Sequence, residues 1–280
     1  MIIDFHTHIM PPRIKEKRLE YIEKDRNFAA IYSGDDVKIA TAEELIASMD
    51  RDGVEISVIL NYGWSTQALC VEVNNYIMEA MSNYPKRLIG FCSVVPSDGE
   101  PALRELERCI RNGIRGIGEL RPDVHFKNES QIKIVKPLMD MIIENDIIML
   151  VHTSDPIGHQ YPGKGKATPE ILYSLITSFP ALKLVCAHWG GGLPFYTLMP
   201  EVKTTLQNAY FDTAISPFLY TSKVYAQVIQ LVGADRILFG TDYPMLRPRR
   251  FFKEIGSLNL LPEIKEKILG VNAQRLLGIK

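Results

Sequence analysis

His6 and His8 flank Thr7, directly behind the apolar run Ile2-Ile3-Asp4-Phe5 that opens the chain. Side chains on an extended strand alternate between faces, so residues 6 and 8 point the same way. Two imidazoles so placed can grip one metal ion, although His-x-His alone is a weak signal. Other β-rich runs also close on polar residues: His152 in VHTSD, His188 in AHWGGG, Asp242 in GTDYP and Glu119 in GIGEL. Each has an ordinary explanation. The histidines could be satisfied core residues, Asp242 a helix cap, and Glu119 a partner of Arg121. Together they are harder to dismiss, because burying so many ionisable groups is costly unless a cation or hydrogen bonds satisfy them.

Imidazole plus carboxylate is the ligand set of zinc, manganese, iron or cobalt; the absence of cysteine ligands leaves the metal open, with zinc the default. Such a set leaves a coordination position for water, and a bound divalent ion lowers the pKa of that water to about 7. Asp242 would accept its proton, and His188 would polarise or protonate the group under attack.

The elements that must position these residues alternate along the chain. Apolar β-rich runs fall at 2–5, 55–60, 88–95, 114–120, 147–151, 182–187, 210–213 and 236–240. They are nearly continuous in hydrophobicity, as strands covered on both faces are. Helical patterns lie between most of them, at 41–51, 67–83, 100–112, 130–145, 169–178 and 222–232. The first opens with a Thr41-x-x-Glu44 box that suits a helix N-terminus. Gly113 and Gly233 follow two of these helices, as is common at C-termini. The tail, 262–277, reads as one or two closing helices.

Eight strand–helix alternations predict an α/β fold, a (β/α)8 TIM barrel with C-terminal closing helices, as one domain over residues 1–280. No Gly-x-Gly-x-x-Gly follows the first strand, which argues against an open doubly wound sheet. In such a barrel the C-terminal strand ends share one mouth, and that mouth carries the chemistry. The connections 9–40 and 153–168 are longer than usual, as lids and insertions are. The second is rich in Gly and Pro and reads as a mobile cover.

The chain has 280 residues, is 46% hydrophobic and 23% charged, and carries a formal net charge of -1. With no basic stripe, nucleic acid is a poor partner. No apolar run approaches the ~18 residues of a membrane helix. The first strand starts at residue 2, which leaves no room for a signal peptide and favours the cytoplasm. Cys70, Cys92, Cys109 and Cys186 form no CxxC pair and read as small core residues. A homodimer is the default expectation for assembly.

DFHTH on strand one, VH on strand five, AHWGGGLPF on strand six and ILFGTDYP on strand eight together resemble the amidohydrolase superfamily. The resemblance runs from residue 2 to about 277. It is to the amidohydrolase-2 branch, which includes aminocarboxymuconate-semialdehyde decarboxylase. It implies a (β/α)8 barrel with a divalent metal at its mouth, one ion or two. By motif, His6, His8, His152 and Asp242 would be metal ligands, with Asp242 doubling as proton acceptor. His188 would act on the substrate or hold a second ion. Many two-metal members carry a carboxylated lysine at the end of strand four, where this chain has Glu119. Some relatives use glutamate there, so Glu119 would bind or bridge metal, or orient a ligand histidine.

Metal-assisted hydrolysis of a small amide, lactone or ester is the leading reading of this site. Non-oxidative decarboxylation of a small carboxylic acid is the alternative, with Arg121 and Arg247 as carboxylate clamps. A non-catalytic scaffold is a third reading, which no missing ligand supports. Arg121, Trp189 and Tyr243 are the candidate substrate-binding residues, with Tyr62 and Trp64 as further pocket-wall candidates. His159 and His125 read as solvent-exposed. The glycines at 190–192 suit either close backbone approach to a ligand or a tight turn.

Overall fold

The computed structural model describes residues 1–122, 126 and 129–279. Eight strands run in chain order: β1 (Ile3–His8), β2 (Ile56–Leu60), β3 (Leu88–Cys92), β4 (Gly116–Leu120), β5 (Ile148–Val151), β6 (Lys183–Cys186), β7 (Ala209–Asp212) and β8 (Ile237–Leu238). Each pairs in parallel with the next. The ring closes where Phe5 N–H donates to the Phe239 carbonyl at 2.8 Å and His8 N–H to the Tyr243 carbonyl at 2.7 Å. This is the predicted TIM barrel.

The connections carry α1 (Pro12–Glu16), α2 (Arg18–Lys24), α3 (Arg26–Tyr32), α4 (Ala42–Asp52), α5 (Gln67–Asn83), α6 (Glu100–Arg111), α7 (Glu129–Glu144), α8 (Pro169–Ser178), α9 (Pro200–Thr205), α10 (Ser216–Leu219), α11 (Lys223–Val232) and α12 (Pro248–Ser257). The tail forms α13 (Pro262–Glu266), a π-helical turn (Lys267–Val271) and α14 (Asn272–Leu277). Thr41 caps α4 in a full capping box with Glu44, and α4 stops at the left-handed Gly53. The long 9–40 connection is a folded insertion, since α1 to α3 lie within it. Short helices such as α9 and α10, and α12 behind Asp242, have no counterpart in the sequence reading. Each opens on a proline in its first turn, and α9 and α10 are too short to show a period.

The barrel is filled, not hollow. Ile3, Phe5, Val58, Leu60, Phe91, Ile148, Leu150, Val185 and Leu238 form one buried cluster, with Ala273, Leu276 and Leu277 of α14 packed onto it. Gly116 leaves room for the Phe91 ring, because a Cβ there would stand 2.4 Å from it. A second, larger cluster fills the space between strands and helices. The four cysteines are buried and unbonded, as small core residues should be. Among the described residues no helix is long and apolar enough to cross a membrane.

Candidate metal centre

The polar strand ends converge at one mouth. β1 extends to His8, and the rings of His6 and His8 lie 4.9 Å apart with their Nε2 atoms 3.0 Å from each other. His188 and Asp242 follow β6 and β8 in left-handed backbone conformations, φ 56° and 62°. That conformation is uncommon outside glycine and is typical of strained functional turns. It turns both side chains back over the barrel. Asp242 Oδ1 stands 2.9 Å from His8 Nε2 and 3.7 Å from His6 Nε2.

Glu119 sits between two groups of histidines. Its Oε1 is 2.8 Å from His152 Nδ1, 3.2 Å from His188 Nε2 and 3.9 Å from His6 Nε2, and its Oε2 is 3.8 Å from His8 Nε2. His6, His8 and Glu119 form one compact ligand triad, and Glu119, His152 and His188 form another. All of these residues are buried. The expected set of His6, His8, His152 and Asp242 is thus divided, with His152 on the far side of Glu119 and its Nε2 2.9 Å from Ser154 Oγ.

The charges are set by these neighbours. Burial opposes ionisation of Glu119, but His152 and His188 hold its carboxyl well below the usual range. Burial likewise opposes charge on Asp242, yet His8 and His6 hold it at about 2. Burial lowers His8, and lowers His152 to about 4 with help from Arg121, so both keep a free nitrogen lone pair. On His6 burial is outweighed by Asp212, which raises it to about 10. His188 is raised too, by Glu119 against burial.

Asp212, at the end of β7, is absent from the sequence reading. It accepts from His6 Nδ1 at 2.8 Å and from His188 N–H at 2.8 Å. Its signal was available, since it is a polar residue ending a predicted strand like the others. A carboxylate on Nδ1 leaves Nε2 as the outward ligand atom and raises its basicity.

These residues fit a divalent cation. Two ligand nitrogens each ~2.0–2.1 Å from one ion stand about 2.9–3.4 Å apart, the range in which His6 and His8 hold theirs. Asp242 Oδ1 is buried 2.9 Å from His8 Nε2 and 3.7 Å from His6 Nε2. A buried carboxylate facing imidazole nitrogens is expensive unless a cation or a shared proton meets it. The donor set, imidazole and carboxylate without thiolate, suits zinc or manganese.

The candidate substrate residues separate. Arg121 reaches the mouth: its guanidinium donates to the Gly163 carbonyl, and a Cβ on Gly165 would stand 3.1 Å from Arg121 Nη2 and 3.4 Å from His152 Cδ2. Trp189 does not face the pocket. Its indole is fully buried, donates to Ser216 Oγ at 2.9 Å and packs edge-on to Tyr225. Tyr243 turns outward to α4, where its hydroxyl donates to the Glu44 carbonyl. Arg247 pairs with Asp52 through two bonds of 3.1 and 2.6 Å and is no clamp. Trp189 and Tyr243 directly follow a site residue, and the turn sends each to the opposite side, while Arg247 lies at the start of α12. Tyr62 does line the site, stacked on His8, while Trp64 packs on Phe28 behind it.

His159 is exposed, as expected, and His125 lies outside the described residues. Gly191 belongs to a tight turn, since a Cβ on it would stand 2.7 Å from the Ser154 carbonyl. The 153–168 connection covers the mouth but is tied down. Ser154 N–H donates to the Ala167 carbonyl at 2.7 Å, and Gly163 N–H to the Ala30 carbonyl of α3 at 3.2 Å. Beside it, Ile157, Tyr161, Phe195, Tyr196, Leu219 and Tyr220 border a largely apolar hollow of about 400 Å³.

A protein-family model described as Amidohydrolase matches residues 3–279. The chain is 25% identical to 2-amino-3-carboxymuconate-6-semialdehyde decarboxylase of Dictyostelium discoideum, over 99% of this chain and 91% of that protein. It is 24% identical to gamma-resorcylate decarboxylase of Polaromonas sp., over 81% and 84% of the two chains. Its fold is similar to the crystal structure of a dihydroxybenzoic acid decarboxylase from Polaromonas sp. JS666 with bound manganese and 2-nitroresorcinol. There the TM-score is 0.75 at 19% identity, over 99% of this chain and 96% of that one.

Proposed function

Because the chain belongs to the amidohydrolase family, we propose that it is a metal-dependent decarboxylase of a small aromatic or muconate-type carboxylic acid. The observation that carries this reading is the joint placement of Arg121 and His188 around a buried histidine–carboxylate cluster, one group to hold an anion and one to give a proton. The curated relatives described above are decarboxylases, which reverses the order set by the sequence, where hydrolysis came first.

His6, His8 and Asp242 would hold an ion from one side, with Glu119 and His152 facing it from the other. A divalent ion there supplies the positive charge that orients the substrate and stabilises negative charge as it develops. Manganese is the ion bound in the similar crystal structure, and zinc fits the same donors. Glu119 is also placed to serve a second ion with His152 and His188. Metal analysis of purified protein decides between one ion and two.

Arg121 holds the substrate's anionic end by charge-assisted hydrogen bonds, exchanging its present bond to Gly163 for them. His188, whose proton Glu119 favours, protonates the carbon that bears the leaving carboxylate. The C–C bond then breaks, carbon dioxide departs, and its bonding pair restores the π system whose electrons formed the new C–H bond. Solvent returns the proton to His188. Asp242, held as a carboxylate, would be a ligand in this scheme and not the acid.

The test is carbon dioxide release from a panel of hydroxybenzoic and muconate-type acids by manganese- or zinc-loaded protein, run beside amide and lactone hydrolysis. Decarboxylation of at least one acid, abolished by His188→Asn, supports the reading. Turnover confined to amides or lactones restores hydrolysis.

A further inference from the structure

We infer that Tyr62 is a positioning residue for His8, holding the imidazole by stacking where the other site histidines are held by hydrogen bonds. This inference rests on His8 being a metal ligand. His6, His152 and His188 each engage a protein oxygen through Nδ1: Asp212 at 2.8 Å, Glu119 at 2.8 Å and the Ala214 carbonyl at 3.3 Å. His8 Nδ1 is buried and has no such partner. A ligand histidine ordinarily gives its second nitrogen to an acceptor, which fixes the ring. Here the ring instead lies face to face with Tyr62, centroids 4.0 Å apart and planes 13° apart.

A stack can orient a ligand only if its own partner is rigid, and the loop carrying Tyr62 is clamped at almost every residue. Asn61 donates to the Ile9 carbonyl at 2.6 Å and accepts from Trp64 Nε1 at 2.8 Å. Asn27 donates to the Gly63 carbonyl at 2.5 Å. Asp25 accepts from Ser65 N–H at 2.7 Å and from its hydroxyl at 2.6 Å. Trp64 stacks on Phe28 with centroids 5.3 Å apart, and Tyr32 meets Tyr62 edge-on at 5.3 Å. Asp25, Asn27, Phe28 and Tyr32 all belong to α3 or its cap. The folded insertion between β1 and α4 thus has a definite task, which is to press the Tyr62 ring onto His8.

The experiment is a manganese titration of chelator-treated protein, giving Kd for wild type, Tyr62→Phe, Tyr62→Leu and Asn27→Ala, with Tyr62→Leu repeated in a His8→Ala background. Tyr62→Leu is expected to weaken binding about 10–100-fold, the range for residues that orient ligands, and Tyr62→Phe to keep it within about threefold. The loss from Tyr62→Leu should vanish once His8 is gone, which a general loss of stability would not do. Asn27→Ala, which loosens the loop without touching the site, should give an intermediate loss and keeps the test valid if Tyr62→Leu fails to fold. Unchanged Kd in both Tyr62→Leu and Asn27→Ala, or an equal loss with and without His8, overturns the inference. Wild-type protein that binds no manganese or zinc would instead overturn the metal centre itself.

Discussion

Asp212 shows how much one residue behind a ligand can decide. It touches no candidate substrate position, yet it fixes the tautomer of His6 and the backbone of His188 at once. Asp212→Asn keeps the shape but removes the negative charge that favours a cation on His6 Nε2. We expect metal affinity to fall about 10–100-fold in this variant, read as Kd for manganese, with the fold retained by circular dichroism. Unaltered affinity would mean that His6 is not a ligand. The same residue marks a limit of reading by motif. His6, His8, His152, His188, Asp242 and Glu119 stand out because histidine and charge are rare at the ends of apolar runs. Asp212 obeys the same rule near the end of the run Tyr210–Thr213, but it lies outside the motifs that carry the family resemblance.

Among the elements, α6 offers a test independent of the site. Glu105 lies on its buried face, where it accepts two bonds from Arg108, at 2.8 and 2.7 Å, and one from Asn74 of α5 at 2.7 Å. Asn74 also accepts from Ser93 N–H just beyond β3, so the carboxylate ties two helices to a strand end. Burial alone would raise the Glu105 pKa, but Arg108 and Asn74 overcome it and lower it from 4.5. A carboxyl depressed on folding contributes stability above its unfolded pKa and loses it as pH falls through the folded value. Glu105→Gln should therefore cost about 1–2 kcal/mol at pH 7 by urea unfolding. That difference should shrink from about pH 4.5 downward, where the unfolded carboxyl begins to bind protons. A pH-independent difference would mean that packing, not charge, is lost.

For the molecule as a whole, the barrel concentrates Glu119, Asp212 and Asp242 in one buried region. A cation bound to the native state alone stabilises it by about 2.7 kcal/mol at a hundredfold excess over Kd. For a chain of this size that corresponds to roughly 5 °C or more in Tm. Stripping metal with a chelator should lower Tm by that order, and manganese or zinc should restore it. The gain should fade in acid as protons compete for the ligands. A Tm indifferent to metal would leave the cluster as a hydrogen-bonded core.

What the sequence by itself determined is the repeat and the chemistry. Continuous apolar runs must be covered on both faces, which forces helices between parallel strands, and eight such units close on themselves. Polar residues ending those runs then share one mouth, whatever the loops do. What only the tertiary structure decided is which way each neighbour turns. Trp189 and Tyr243 follow site residues in sequence, yet left-handed turns at His188 and Asp242 send them into the core and onto α4, and Arg247 at the start of α12 pairs with Asp52. Tyr62 and α3 come to His8 from segments with no shared motif. Long-range packing sets those contacts, and local spacing carries no record of it.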